Sequence, residues 1–92
     1  MKWLKKRDVV IYYLLYKKFG YDEFNLGEAI DTLSPYFSKK VILTSIKYMS
    51  KRGLVTKLDN LNYRLISFEE FIFSISFEYL KRRSNLRHKI QL

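Results

Sequence analysis

Phe37-Ser38-Lys39-Lys40-Val41-Ile42-Leu43-Thr44-Ser45-Ile46-Lys47-Tyr48-Met49-Ser50-Lys51-Arg52-Gly53-Leu54 reads as one helix with both its start and its stop written in. Ser38 is the N-cap, because its hydroxyl can accept from a free backbone N–H of the first turn. Phe37 precedes the cap and Ile42 occupies the fourth helical position, the spacing of a hydrophobic staple. Gly53 stands where a left-handed cap favours glycine. Ile42, Ile46 and Met49 lie four and three apart and share one face. Lys40, Thr44, Lys47 and Lys51 fall on roughly the opposite face. Such a helix is built to lie against a polyanion, although a solvated surface helix carries the same pattern, so the rest of the chain has to decide.

The charge distribution bears on that choice. The net charge of +9 is large for 92 residues, and it is blocked. Residues 1–19 hold six bases and one acid, 20–37 four acids and no base, and 38–58 six bases and no acid. Residues 59–78 return to four acids and one base, and 79–92 to five bases and no acid. Segregated positive charge raises the local potential and favours an anionic partner. The length suits one domain, 1–92, with a thin margin of stability. Eight Tyr, seven Phe and one Trp are more aromatic surface than so small a core can enclose, so part of it is expected between subunits. With no cysteine there is neither a disulfide nor a thiolate metal site, in keeping with a cytoplasmic protein. The longest apolar run, Val9–Tyr16, is far below the ~20 residues of a membrane helix. It follows a basic start but lacks a small-residue cleavage site, so it is read as part of the fold and not as a signal peptide.

In chain order, residues 1–7 are a basic lead-in with Trp3 as an anchor. A first helix is expected over about Asp8–Lys18, with Val10, Ile11, Leu14 and Leu15 inward, although β-branched and aromatic content also suits a buried strand. Gly20–Phe24 is a turn with a short extended piece. Asn25 then caps a short helix through about Leu33, and Glu28 completes a capping box. Ser34-Pro35 ends it. After Gly53 the period changes to two: 54–58 and 62–66 read as strands around an Asp59-Asn60-Leu61 turn, a small β-hairpin. Ser67 caps a last helix reaching Arg83 or beyond. Its Phe68, Phe71, Ile72, Ile75 and Tyr79 form one apolar row and Phe73, Phe77 and Leu80 a second. One row is expected on its own domain, the other on a second subunit. Residues 85–92 either continue this helix or form a basic tail.

The run Ser38-x-x-x-Ile42-x-x-x-Ile46-x-x-Met49-x-x-x-Gly53-Leu54-Val55, preceded by Asn25-Leu26-Gly27-Glu28-Ala29-Ile30 and followed by a hairpin, resembles the winged helix-turn-helix DNA-binding family over residues 8–66. In style the chain is similar to small archaeal and archaeal-virus regulators. The resemblance implies a mainly α fold of order α-α-α-β-β-α, with 67–84 as a C-terminal dimerisation helix. It implies sequence-specific binding of double-stranded DNA by a homodimeric transcription regulator in the cytoplasm, of the host cell if the origin is viral. Helix 38–52 would enter the major groove with hairpin 54–66 as the wing. Ser38, Lys39, Lys40, Leu43, Thr44 and Lys47 would then lie nearest the bases. Lys51, Arg52, Lys57 and Arg64 would be placed for phosphate, with Lys5, Lys6 and Arg7 adding contacts from the N-terminus. The dimer interface would comprise Phe73, Phe77 and Leu80, with Tyr12 and Tyr16. The wing turn departs from the pattern, since it carries an acid and no base.

No enzymatic activity, cofactor or metal is expected. One histidine, His88, no cysteine and no glycine-rich phosphate loop leave no catalytic constellation. Asp22, Glu23, Glu28 and Asp31 are acidic, but Glu28 serves a cap and no His or Cys lies near. Nothing in the residues calls for a small-molecule effector. Two other readings remain at this level: a winged-helix protein-interaction module of a transcription or replication assembly, and a basic RNA-binding domain.

Overall fold

The structure, a computed structural model, describes residues 4–90, with side chains through Asn85; the expected anchor Trp3 and the last two positions of the tail lie outside it. Along the chain come α1 (Lys6–Phe19), β1 (Phe24–Asn25), α2 (Leu26–Leu33), α3 (Lys39–Arg52), β2 (Val55–Lys57), β3 (Asn62–Leu65) and α4 (Phe68–Ile90). The fold is mainly helical, with a small three-stranded antiparallel sheet of order β1-β3-β2, an arrangement compatible with a winged helix-like fold.

The Val9–Tyr16 run is helical, not a strand. α1 starts two residues before the expected position, because the Asp8 carboxylate accepts the Lys5 backbone N–H at 3.4 Å. Its inward row is Asp8, Ile11 and Leu15. Val10, expected inside, is exposed, since it lies off that three-and-four-spaced row. α2 forms as read: Asn25 Oδ1 accepts the Glu28 N–H at 2.8 Å, and Glu28 Oε1 accepts the Asn25 N–H at 3.1 Å. α3 begins where Ser38 Oγ accepts the Val41 N–H at 3.2 Å and ends at Gly53, whose φ of +85° is the left-handed conformation glycine adopts without strain.

The hairpin acquires a third strand. Phe24 pairs with Tyr63 and Asn25 with Asn62, so β1 closes the outer edge of β3. Two residues are too few to show a period of two in the sequence. What holds β1 is Phe24, wholly buried and stacked on Phe19 at a centroid distance of 5.0 Å. At the hairpin turn, Asp59 Oδ1 accepts the backbone N–H groups of Leu61 and Asn62, both at 3.0 Å. One core gathers Ile11, Leu15, Phe24, Ala29, Leu33, Ile42, Ile46, Met49, Leu54, Val55 and Leu65 from every element but α4.

α4 departs most from expectation. Ser67 caps it by accepting the Glu70 N–H at 3.1 Å, and the helix continues to Ile90, so there is no break at 85. Its first row was expected to be covered by its own domain. Of that row only Phe71 packs onto the core, beside Gly53; Phe68, Ile72, Ile75 and Tyr79 remain exposed. The helix projects from a small body, and the molecule measures 60 × 27 × 21 Å. No helix among the described residues is long and apolar enough to cross a membrane.

Candidate functional site

Burial sorts the side chains of α3 by face. Ile42, Ile46 and Met49 are at most 2 % exposed, while Ser38, Lys39, Lys40, Thr44, Lys47, Lys51 and Arg52 are all exposed. The helix therefore offers an outward row of three lysines and a threonine, with no acid anywhere along it. Leu43 is half-buried at the margin of that row.

On one flank, a groove of about 290 Å³ runs between α3 and the sheet, lined by Leu26, Leu43, Ile46, Lys47, Ser50, Lys57 and Tyr63. Lys57 lies there because strand residues alternate: it is two positions beyond buried Val55 and pairs with Tyr63, which also lines the groove. Lys47 and Lys57 thus converge from two elements. Arg64, read from the sequence as a companion of Lys57, is one position out of phase. It projects toward the start of α4, where its Nη2 lies 3.5 Å from Glu70 Oε2 and its Nη1 donates to the Leu65 carbonyl. The structure thus divides the two bases of the hairpin, one turned to α3 and one to α4.

On the other flank lies a contact that the sequence did not announce. Ser45, fully buried in mid-α3, donates its hydroxyl proton to Asp8 Oδ1 at 2.6 Å. The same carboxylate accepts from the Lys5 N–H, and Arg7 Nε lies 3.9 Å away. Asp8 therefore fixes the basic start of α1, with exposed Lys5 and Lys6, alongside α3. The only sequence signals were an acid in the first turn of α1 and a small polar residue on the apolar side of α3. Nearby, Tyr48 is partly covered by Arg52, whose Nε donates to the Tyr48 hydroxyl at 3.1 Å and whose guanidinium lies 5.3 Å from the ring centroid.

Of the expected interface residues, Phe73, Phe77 and Leu80 are exposed on α4, with Phe73 and Phe77 stacked at 6.1 Å. Tyr16 is exposed beside Tyr21. Tyr12 is half-buried and donates to the Ile66 carbonyl at 2.6 Å, bracing the segment that leads into α4. Burial, reinforced by Tyr21, pushes its hydroxyl up to about 12. Among the described residues, no group of three or more His, Cys, Asp or Glu is placed to hold a metal ion. No family model matches the chain, and neither the curated proteins nor the solved structures provide a match.

Proposed function

We propose that the protein is a winged-helix module that binds double-stranded DNA as a homodimer and regulates transcription. The observation that carries this reading is the lysine and threonine row of α3, exposed and without an acid, backed by a helix face that is fully buried. A rigidly seated, uniformly cationic helix is the element such modules insert into a major groove. Lys39, Lys40, Leu43, Thr44 and Lys47 are the residues to meet base edges, while Lys51, Arg52 and Lys57 meet phosphate, which orients without specifying. Arg64 serves the fold instead. Lys5 and Lys6 extend the cationic surface on the far flank. α4 supplies the contact between copies, through the exposed aromatic side chains that its own domain leaves uncovered.

Binding of labelled duplexes selected from a random pool tests the reading. If roughly 6–10 phosphates are neutralised, affinity falls by about 10³–10⁵ between 50 and 200 mM salt. Replacing Lys40 and Lys47 together by Ala weakens binding at least tenfold, at about 1–3 kcal/mol for each well-made base contact, and leaves the melting temperature in place. A salt-independent titration, undiminished binding by the double variant, or preference for structured RNA over every duplex counts against it.

A further inference from the structure

The charges of α4 are ordered along its axis. Glu69, Glu70 and Glu78 are the only charged residues from Phe68 to Leu80; Lys81, Arg82 and Arg83 follow, and no acid occurs beyond them. The sequence adds Arg87 and Lys89 before the helix ends at Ile90. One half of the helix is therefore acidic and the other basic. Two apolar rows run along the acidic half, Phe68-Ile72-Ile75-Tyr79 and Phe73-Phe77-Leu80, every one of these side chains at least 40 % exposed, and the sequence takes the first row up again in the basic half with Leu86 and Ile90, seven and eleven positions beyond Tyr79. The first row is spaced four, three and four, the period of a helix-to-helix seam. At its lower end it continues into an apolar groove of about 170 Å³ lined by Leu4, Val9, Tyr12, Leu54 and Phe68.

We propose that α4 pairs with α4 of a second copy in the antiparallel sense, the acidic half of each helix lying along the basic half of the other. This rests on the homodimer of the preceding subsection and fixes its orientation. In a parallel pair, the bases of the 81–83 run that flank the seam would stand beside their own twins on helices 8–10 Å apart, about one Debye length at ordinary salt. The glutamates that flank it would crowd their own twins in the same way. Reversing one helix exchanges both repulsions for attractions, and it also sets each helix dipole against the other. The seam is the first row, the one that the sequence continues into the basic half with Leu86 and Ile90. The area suffices: a 23-residue helix is about 35 Å long and about 11 Å across, so burying half its lateral surface removes roughly 600 Å² per copy, the lower bound for a stable specific interface.

The chain has no cysteine, so one introduced thiol is unique. Ser74→Cys and Asn85→Cys, both at exposed positions of α4, are each labelled with a nitroxide and the distance between the two labels of each dimer is measured by electron–electron dipolar spectroscopy. The two positions lie about 16 Å apart along the helix. In an antiparallel dimer whose crossing point lies between them, the axial offsets of the two label pairs add up to roughly 33 Å, so one variant or both reads well beyond 15 Å. In a parallel dimer neither pair has an axial offset, so a mixed sample of the two variants adds a distance longer than both, whereas in the antiparallel dimer the mixed pair falls short of the longer of the two. Sedimentation of the same samples separates the failures. A dimer whose mixed pair reads longest overturns the antiparallel sense and leaves the homodimer standing. A monomer without dipolar coupling overturns both, and leaves the aromatic face of α4 to a different protein.

Discussion

α3 and α4 start alike and end differently. Each opens on a serine that accepts a backbone N–H three residues on, and each repeats large apolar side chains four and three apart. In α3 that row is sealed by α1, α2 and the sheet, and Ile46 is 2 % exposed. In α4 the corresponding row stands in the open, with Ile75 at 54 %. Capping and periodicity are local properties that both sequences satisfy equally. Coverage depends on how many other elements reach the helix, and among the described residues of α4 only Phe71, near its root, packs on the core, while Glu70 reaches Arg64. An amphipathic pattern therefore states that a helix needs a partner without stating which: the partner of α3 is internal, whereas the body leaves the rows of α4 uncovered.

That contrast breaks most readily by truncating one isoleucine from each helix. Ile46→Ala opens a cavity in a sealed core and should cost about 2–5 kcal/mol in a denaturant titration. Ile75→Ala removes no contact from the isolated body and should shift the stability of the monomer by less than about 0.5 kcal/mol, while weakening self-association in sedimentation. Equal costs at low protein concentration would mean that α4 folds back on its own domain.

Local rules decide what a sequence shows of this fold. The caps at Asn25, Ser38 and Ser67, the left-handed Gly53 and the turn at Asp59 depend on neighbours within a few residues, and they stand where the sequence put them. The short extended piece before α2 was legible, but its pairing as a third strand was not, because that rests on Phe24 meeting Phe19 and Tyr63, and only Phe19 is close in the chain. Arg64 stands apart from Lys57, which the sequence left open because a strand's period fixes only which residues share a face, not which face meets α3 and which meets α4. The outward row of α3 was legible because one helix carries it entirely. The bond from Ser45 to Asp8 was not, since 37 residues separate its ends.

That bond is the next point at which to probe the comparison, because it is what α3 has and α4 lacks: a polar tie to another element from its buried side. Ser45→Ala leaves a carboxylate that is 2 % exposed without its shortest hydrogen bond. The expected loss is about 1–3 kcal/mol, and Asp8→Ala/Ser45→Ala should lose less than the sum of the single variants. If the tie also sets the pose of α3, Ser45→Ala weakens duplex binding at temperatures where the domain is still folded. Additive losses would show that the two groups act independently.

Tyr12 ties the root of α4 to the body, and it makes a smaller prediction with a pH signature. Its hydroxyl value is raised from near 10 to about 12, so the neutral phenol is the form that the fold favours. The stability it contributes is complete below about pH 10 and is lost as pH climbs toward about 12. Tyr12→Phe removes the hydrogen bond to Ile66 at about 0.5–1.5 kcal/mol and should flatten that decline relative to the parent. A variant that declines as steeply as the parent between pH 10 and 12 would assign the effect to other groups.

The smallest effect belongs to the hairpin tip, which has neither the core of α3 nor an apolar face to cover. Asp59 is fully exposed, yet its carboxyl is held below the ordinary carboxylate range, first by the Asn62 side-chain amide and then by the Leu61 N–H. A lowered value means that the turn is supported above the unfolded carboxylate value near 3.9 and loses that support as pH falls through the folded one. Because the group is exposed, the melting temperature should hardly move, and the change is local. The Leu61 and Asn62 amide resonances should titrate at a pH below 3.9 in the parent and show no such step in Asp59→Asn. Duplex binding at neutral pH should be the same for both, because the tip brings no base to a phosphate. A substantial gain in affinity on removing this acid would place the tip against the DNA and enlarge the binding surface beyond α3 and Lys57.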